Sequence, residues 1–180
     1  MTLPQDLLIL AVVALIAVFL FRRMAAGRKA ASAANRRRLV ADIDVGGQVT
    51  VPDVAALKAA GYRTLINMRP DGEGADQPLS ASVESAVTDA GLSYAYIPTS
   101  AANMSDQVID DLARTLANTE GPVLIYCRSG ARVARAWALA EASRPGGLDR
   151  EGIVSAVEQA GFKVDDLLSR IDARLATRPE

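Results

Sequence analysis

No histidine occurs in the 180 residues. Its absence removes a Cys-His pair, a Ser-His-Asp triad and any imidazole-built metal site. There is one cysteine, Cys127. A lone cysteine closes no intrachain disulfide, which suits a reducing compartment, and it cannot build a thiolate zinc site. An excess of one charge is also lacking: 20 Lys and Arg stand against 21 Asp and Glu, for a net charge of −1. Without a basic footprint, no nucleic-acid partner is expected. No motif calls for a cofactor or a metal, and no internal repeat is evident. The length fits one domain plus a short extra element.

What is present begins with an unbroken apolar run, Leu7–Phe21. It falls short of the roughly 20 residues that a membrane helix prefers. Leu3 and Met24-Ala25-Ala26 can extend it, with Arg22 and Arg23 snorkelling to the headgroups. Lys and Arg are absent before Leu7 and abundant after it, at Arg22, Arg23, Arg28, Lys29, Arg36, Arg37 and Arg38. A secretory signal has the opposite asymmetry. The pattern predicts a single-pass anchor over 1–26, with the remainder of the chain in the cytoplasm. Residues 27–38 read as a basic juxtamembrane linker, either a topology determinant or a contact to anionic lipid.

The folded domain is expected over 39–147. Ile43–Val45, Thr64–Met68, Leu92–Ile97 and Val123–Tyr126 read as strands. Helical segments separate them: one capped by Thr50 and stopped by Gly61, one from Ser80 or Ser82 to Ala90, and one capped by Ser105. Val108, Leu112, Thr115 and Leu116 share a face of the third. Strand and helix alternate through short links. The pattern predicts an α/β class with a mainly parallel sheet of four to five strands flanked by helices. Residues 148–180 form a helical extension, Asp149–Ala160 and Val164–Leu175, whose apolar stripes read as packing.

The chain centres on Val123-Leu124-Ile125-Tyr126-Cys127-Arg128-Ser129-Gly130-Ala131-Arg132. A buried strand ends at the cysteine, turns through Gly130 and opens a helix. Such a turn leaves unpaired N–H groups that, with the helix dipole, form an anion nest. Arg128 and Arg132 flank the thiol, an arrangement that favours the thiolate. A nucleophile beside a bound anion suits covalent transfer of a phosphoryl or sulfur group. The plain alternative is a small core residue after a strand. Arg128, Ser129, Gly130 and Ala131 are the candidate anion-binding residues. In α/β sheets ligands bind beyond the C-terminal strand ends, where both this turn and the Arg69–Leu79 loop lie. Asp71 or Glu73 in that loop can protonate a leaving group, although Pro70-Asp71-Gly72 is also ordinary turn chemistry. Arg69 can pair with a carboxylate or extend the anion site.

Several further strings agree: Gly47-Gln48-Val49-Thr50, Thr64 through Glu73, Asp76-Gln77-Pro78, Tyr96-Ile97-Pro98 and Tyr126 through Arg132. Together they resemble the beta-lactamase hydrolase-like protein phosphatase-like family, also described as a sulfur transferase family, over about residues 40 to 147. The resemblance implies a fold like that of tyrosine and dual-specificity phosphatases. It implies Cys127 as nucleophile, Arg132 and the loop backbone as the oxyanion holder, and Asp71 as a site residue of open role. The substrate it implies is a small anion, a phosphoester or a sulfane sulfur donor. The chain departs from the phosphatase pattern, which spaces nucleophile and arginine by five residues. Four residues separate Cys127 from Arg132. Val133 stands where a hydroxyl residue is usual, Tyr126 where a histidine is usual, and the first acid after Ile97 is Asp106. The Cys-Arg-Ser-Gly-Ala-Arg string also resembles the active loop of rhodaneses, where the shorter loop cradles a persulfide. Two enzymatic readings therefore stand, a cysteine-dependent hydrolase and a sulfurtransferase. A third is a non-catalytic anion-binding module at the membrane.

Overall fold

Short, branched apolar strands frame the protein. Its structure, a computed structural model, describes residues 36–102 and 104–179. In chain order, Arg36–Val40 (β1) and Ile43–Gly46 (β2) lead through a 3-10 turn, Val51–Asp53, into Val54–Ala59 (α1). Thr64–Asn67 (β3), Ser80–Asp89 (α2), Ser93–Tyr96 (β4) and Asp106–Ala117 (α3) follow. Val123–Tyr126 (β5) and Ala131–Ser143 (α4) come next, then Arg150–Gln159 (α5), a 3-10 turn Asp165–Leu167 and Leu168–Ala176 (α6).

The five strands lie in the order β1-β2-β5-β3-β4. β2, β5, β3 and β4 run parallel. β1 pairs antiparallel with β2, so the sheet is mixed. Every residue of β3 and β5 is buried, as expected of strands covered on both faces. Alternate side chains divide between two cores. Leu65, Leu124 and Tyr126 meet Val54, Leu57, Val83 and Val87 beneath α1 and α2. Ile66, Ile125 and Cys127 meet α3, α4, α5 and α6 on the other face.

The helix starts follow local chemistry. Asp53 accepts from the Thr50 backbone N–H (2.8 Å) and hydroxyl (2.6 Å). Ser105 caps α3 through the Val108 N–H, and Asp149 caps α5 through the Gly152 N–H. α4 is the central helix, packed by α3, α5 and α6. Its Ala-rich run from Ala136 to Ala142 is buried almost all round, and small side chains let the other helices approach.

The expected linker needs correcting at its end. Strand β1 opens at Arg36, so Arg36, Arg37 and Arg38 are strand residues rather than linker. Three consecutive arginines hide the alternation that marks a strand. They are tolerated because β1 is an edge, where charge also blocks unwanted pairing. Each is used within the fold. Arg36 lies over the Tyr62 ring at 5.2 Å and Arg37 over Phe162 at 5.2 Å. Arg38 is paired with Asp44. The Leu7–Phe21 run and residues 27–34 lie outside the described residues. Among the described residues no helix is long and apolar enough to cross a membrane.

Candidate functional site

β5 ends at Tyr126, and the next residue is the cysteine. The Cys127 N–H donates to Gly46 O at 3.2 Å, extending the β2–β5 ladder by one bond. The thiol is 1% exposed and sits on the α4 face with Val45, Ile125 and Val133. It forms the floor of the turn. Arg128 and Ser129 are exposed above it. Arg128 O accepts from the Gln48 N–H at 3.4 Å, and Ser129 bridges to Gly47, so the segment after β2 braces the turn from one side.

Gly130 ends the turn with φ +94°. A β-carbon there would also lie 3.0 Å from Phe162 Cζ. Both the backbone conformation and the space therefore require glycine. Phe162 belongs to the helical extension, so residues 148–180 press on the turn from the outside. Arg135 on α4 fixes this contact with two bonds to Asp166, 2.7 and 2.6 Å. From Gly130 the chain enters α4, whose first bond is Ala134 N–H to Gly130 O at 3.0 Å. The preceding N–H groups of that first helical turn have no helical acceptor.

Arg132, the second residue of α4, reaches across to the β3 loop. One terminal nitrogen is paired with Glu73 Oε1, and the other donates to Met68 O at 3.4 Å. The side chain is 10% exposed, and its Nε is buried with no hydrogen-bond partner. Arg69 is more deeply held, at 5% exposure. Its Nε donates to Glu73 Oε2 at 2.9 Å and its Nη1 to Gln48 Oε1 at 2.7 Å. Glu73 thus bridges two guanidinium groups. Burial pushes its carboxyl up, but hydrogen bonds from Arg69 and Arg132 outweigh that and hold it below the ordinary value of 4.5. A β-carbon on Gly74 would fall 2.7 Å from Arg69 Nη2, so this loop too closes around its ions.

Asp71 is engaged elsewhere. Its Oδ1 accepts from the Ser80 N–H (2.8 Å) and its Oδ2 from the Ser80 hydroxyl (2.7 Å), closing the start of α2. The Asp71 N–H donates to the Tyr96 hydroxyl at 3.0 Å. Asp106 is equally occupied: Arg170 and Arg174 each donate to its Oδ1 at 2.8 Å.

The structure therefore joins Cys127, Arg132 and Arg69 through the strand ends and through Glu73, while Asp71 faces α2. Three partners were not singled out from sequence. Gln48 holds Arg69; its signal was its place directly after β2, the neighbour of β5. Asn67 accepts from the Arg69 N–H at 2.9 Å and donates to the Tyr94 hydroxyl at 2.9 Å, setting the course of the loop. Phe162 lies far along the chain and carried no local signal. A cleft of about 790 Å³ opens at the opposite end of the strands, lined by Lys58, Tyr62, Arg63, Ser93 and Glu120 among others. It holds none of the candidate residues, and ligands of open α/β sheets bind at the other end.

Comparison with known proteins agrees with this geometry. Residues 35–144, more than half of the chain, match the model of the beta-lactamase hydrolase-like protein, phosphatase-like domain. The chain is similar to the beta-lactamase hydrolase-like protein of Xylella fastidiosa (strain 9a5c), 30% identical over 75% of this chain and 31% of that protein. A second such protein, from Agrobacterium fabrum (strain C58), is 35% identical over 56% of this chain and 23% of its own length. The chain thus spans less than a third of these relatives. Among solved structures, a candidate phosphatase from Neisseria meningitidis Z2491 superposes with a TM-score of 0.66 at 25% identity, over 77% of this chain and 96% of the other. P. aeruginosa TpbA in complex with pTyr gives 0.55 at 19% identity, over 82% and 86%. Human DUSP28 gives 0.54 at 16% identity, over 79% and 94%. These last two show the fold alone.

Proposed function

The chain belongs to the beta-lactamase hydrolase-like protein, phosphatase-like domain family, and on that premise we propose that it is a hydrolase acting through Cys127. The observation that carries this reading is the buried, unpartnered Arg132 Nε at the turn that holds the thiol. A buried guanidinium N–H without an acceptor is costly unless an anion fills it. The free N–H groups at the start of α4 supply the rest of the cradle. The Cys127 thiolate attacks phosphorus of a bound phosphoester, the P–O bond to the alcohol breaks, and that oxygen takes a proton from water. Water then attacks the cysteinyl phosphate, the S–P bond breaks, and inorganic phosphate leaves with the thiolate restored. The β3 loop offers no ready proton donor, since Asp71 caps α2 and Glu73 is held ionised, so substrates with good leaving groups are favoured. The test is phosphate release from aryl phosphates by wild type and Cys127→Ser. Equal, slow release from both overturns the reading.

A second reading, sulfane sulfur transfer, is favoured by one specific observation. Both terminal nitrogens of Arg132 are engaged, by Glu73 and Met68 O, so the bidentate fork that suits a phosphoryl group is taken. Here the thiolate attacks the outer sulfur of a donor such as thiosulfate, the S–S bond breaks, and sulfite leaves with the electron pair. Cys127 then carries a persulfide. Neither step needs a proton donor. Intact mass after treatment should show one added sulfur, absent in Cys127→Ser. A membrane tether through Leu7–Phe21, with the domain on the cytoplasmic side, belongs to the same proposal. Its check is whether the full chain sediments with membranes and a chain starting at Asn35 does not.

A further inference from the structure

We infer that Glu73 is a specificity-determining residue, an internal anion that restricts the Cys127 turn to singly charged ligands and turns away tetrahedral dianions. The inference rests on the anion-holding turn proposed above and adds which anions it accepts.

The argument starts from Arg132. A guanidinium next to an empty oxyanion site normally offers two parallel N–H groups to the ligand. Here one terminal nitrogen is paired with Glu73 and the other donates to Met68 O, which leaves Nε. A ligand can therefore take one guanidinium N–H, together with the N–H groups of the turn. Glu73 is a fixture of the loop. Its second oxygen accepts from Arg69, which is itself buried and held by Gln48. The close fit of Gly74 against Arg69 leaves little room for the group to swing away.

Charge gives the selectivity. Arg69, Arg132 and Glu73 together carry one positive charge, which a singly charged ligand neutralises. A dianion also stands within one guanidinium width of the Glu73 carboxylate, and repulsion between like charges at that range is large inside a partly buried site. The accepted class is then a monoanion that binds through one atom, such as the terminal sulfur of a hydropersulfide or the oxygen of a monoanionic ester.

Calorimetric titration with sulfate and with nitrate tests this without turnover. Wild type should bind sulfate no more tightly than nitrate. Glu73→Gln should bind sulfate at least tenfold more tightly than wild type, with nitrate changing less than threefold. Sulfate affinity that stays level or falls overturns the inference, as does a parallel shift of both anions. Glu73→Ala is the second variant should the amide not fold. Wild type alone is also decisive in one direction, since clearly tighter sulfate than nitrate binding overturns the inference without any variant. Binding of neither anion by any form removes the anion-holding turn itself, and the proposed function with it.

Discussion

Two loops meet at the C-terminal edge of the sheet, and they are built in opposite ways. The Cys127 turn is made of backbone: a ladder bond to Gly46, a glycine at φ +94°, and the first amides of α4. The β3 loop is made of side chains: Arg69 on Gln48 and Glu73, Glu73 on Arg132, and Asp71 on Ser80. A backbone-built turn holds its shape against most substitutions but fails at its glycine. A side-chain-built loop can lose one partner and keep its course, at a cost set by which charge is left unpaired. Chemistry is thus assigned to the rigid loop, and selection of the ligand to the adjustable one.

The sharpest break in that comparison is at the sulfur. Cys127→Ser keeps the turn, since the backbone bonds are unchanged, and replaces the nucleophile. Turnover, whether phosphate release or sulfur transfer, should fall by at least ~10³-fold with the unfolding midpoint nearly unchanged. Trp137, the sole tryptophan, is fully buried on α4, so its fluorescence reports folding of the same helix. Residual activity above a tenth of wild type would move the chemistry off Cys127.

Next in size is Gly130→Ala. The left-handed backbone costs ~1–2 kcal/mol for a residue with a β-carbon. The new carbon would also lie 3.0 Å from Phe162 Cζ, so the extension must shift as well. A loss of about 2–3 kcal/mol in denaturant unfolding is expected. A second change, Phe162→Ala, should recover the steric part and leave the conformational part. A variant as stable as wild type would show that the turn is not pinned as described.

Asp71 separates structure from catalysis. As the group closing α2, its replacement by Ala should cost ~0.5–2 kcal/mol of stability. Activity should stay within a few-fold and the pH profile should keep its shape. A general acid would behave otherwise, losing roughly 10²- to 10⁴-fold and the limb of the profile that reports its protonation.

The same contrast explains what the sequence could reveal. The run from Val123 to Arg132 is contiguous, so strand, thiol, turn and helix could be read from neighbours alone. The helices capped by Ser105 and Asp149 were legible for the same reason, since a cap lies within a turn of what it caps. Asp71 closes α2 from nine residues before Ser80, a spacing outside any local capping pattern. The Glu73–Arg132 pair spans 59 positions. Glu73 could be listed as a candidate acid, but the second arginine that keeps it ionised came only with the sheet order. β1 was missed because its arginines serve partners far along the chain, Arg37 above all, which donates to Ala160 O at 3.0 Å. Residue types announce local chemistry; the partners that redirect it come from topology.

The smallest effect concerns how acid acts on the two loops. Glu73 has a folded-state value below its ordinary 4.5, so its ionised form is favoured by folding. For a carboxyl held low, the stabilisation is fully present above the ordinary value and is lost as pH falls through the folded value. The stability gap between wild type and Glu73→Gln should therefore be level from neutral pH down to about 5 and shrink below 4.5. Glu141, also held low by Arg144 and the Leu148 N–H although burial pushes it up, titrates in both proteins and cancels in the difference. The backbone-built turn has no carboxylate of its own, so acid should loosen the β3 loop first. Hydrogen exchange at mildly acid pH should then rise at Arg69 and Glu73 before it rises at Cys127. Simultaneous opening would mean that the two loops form one cooperative unit, with Glu73 and Arg132 as its joint.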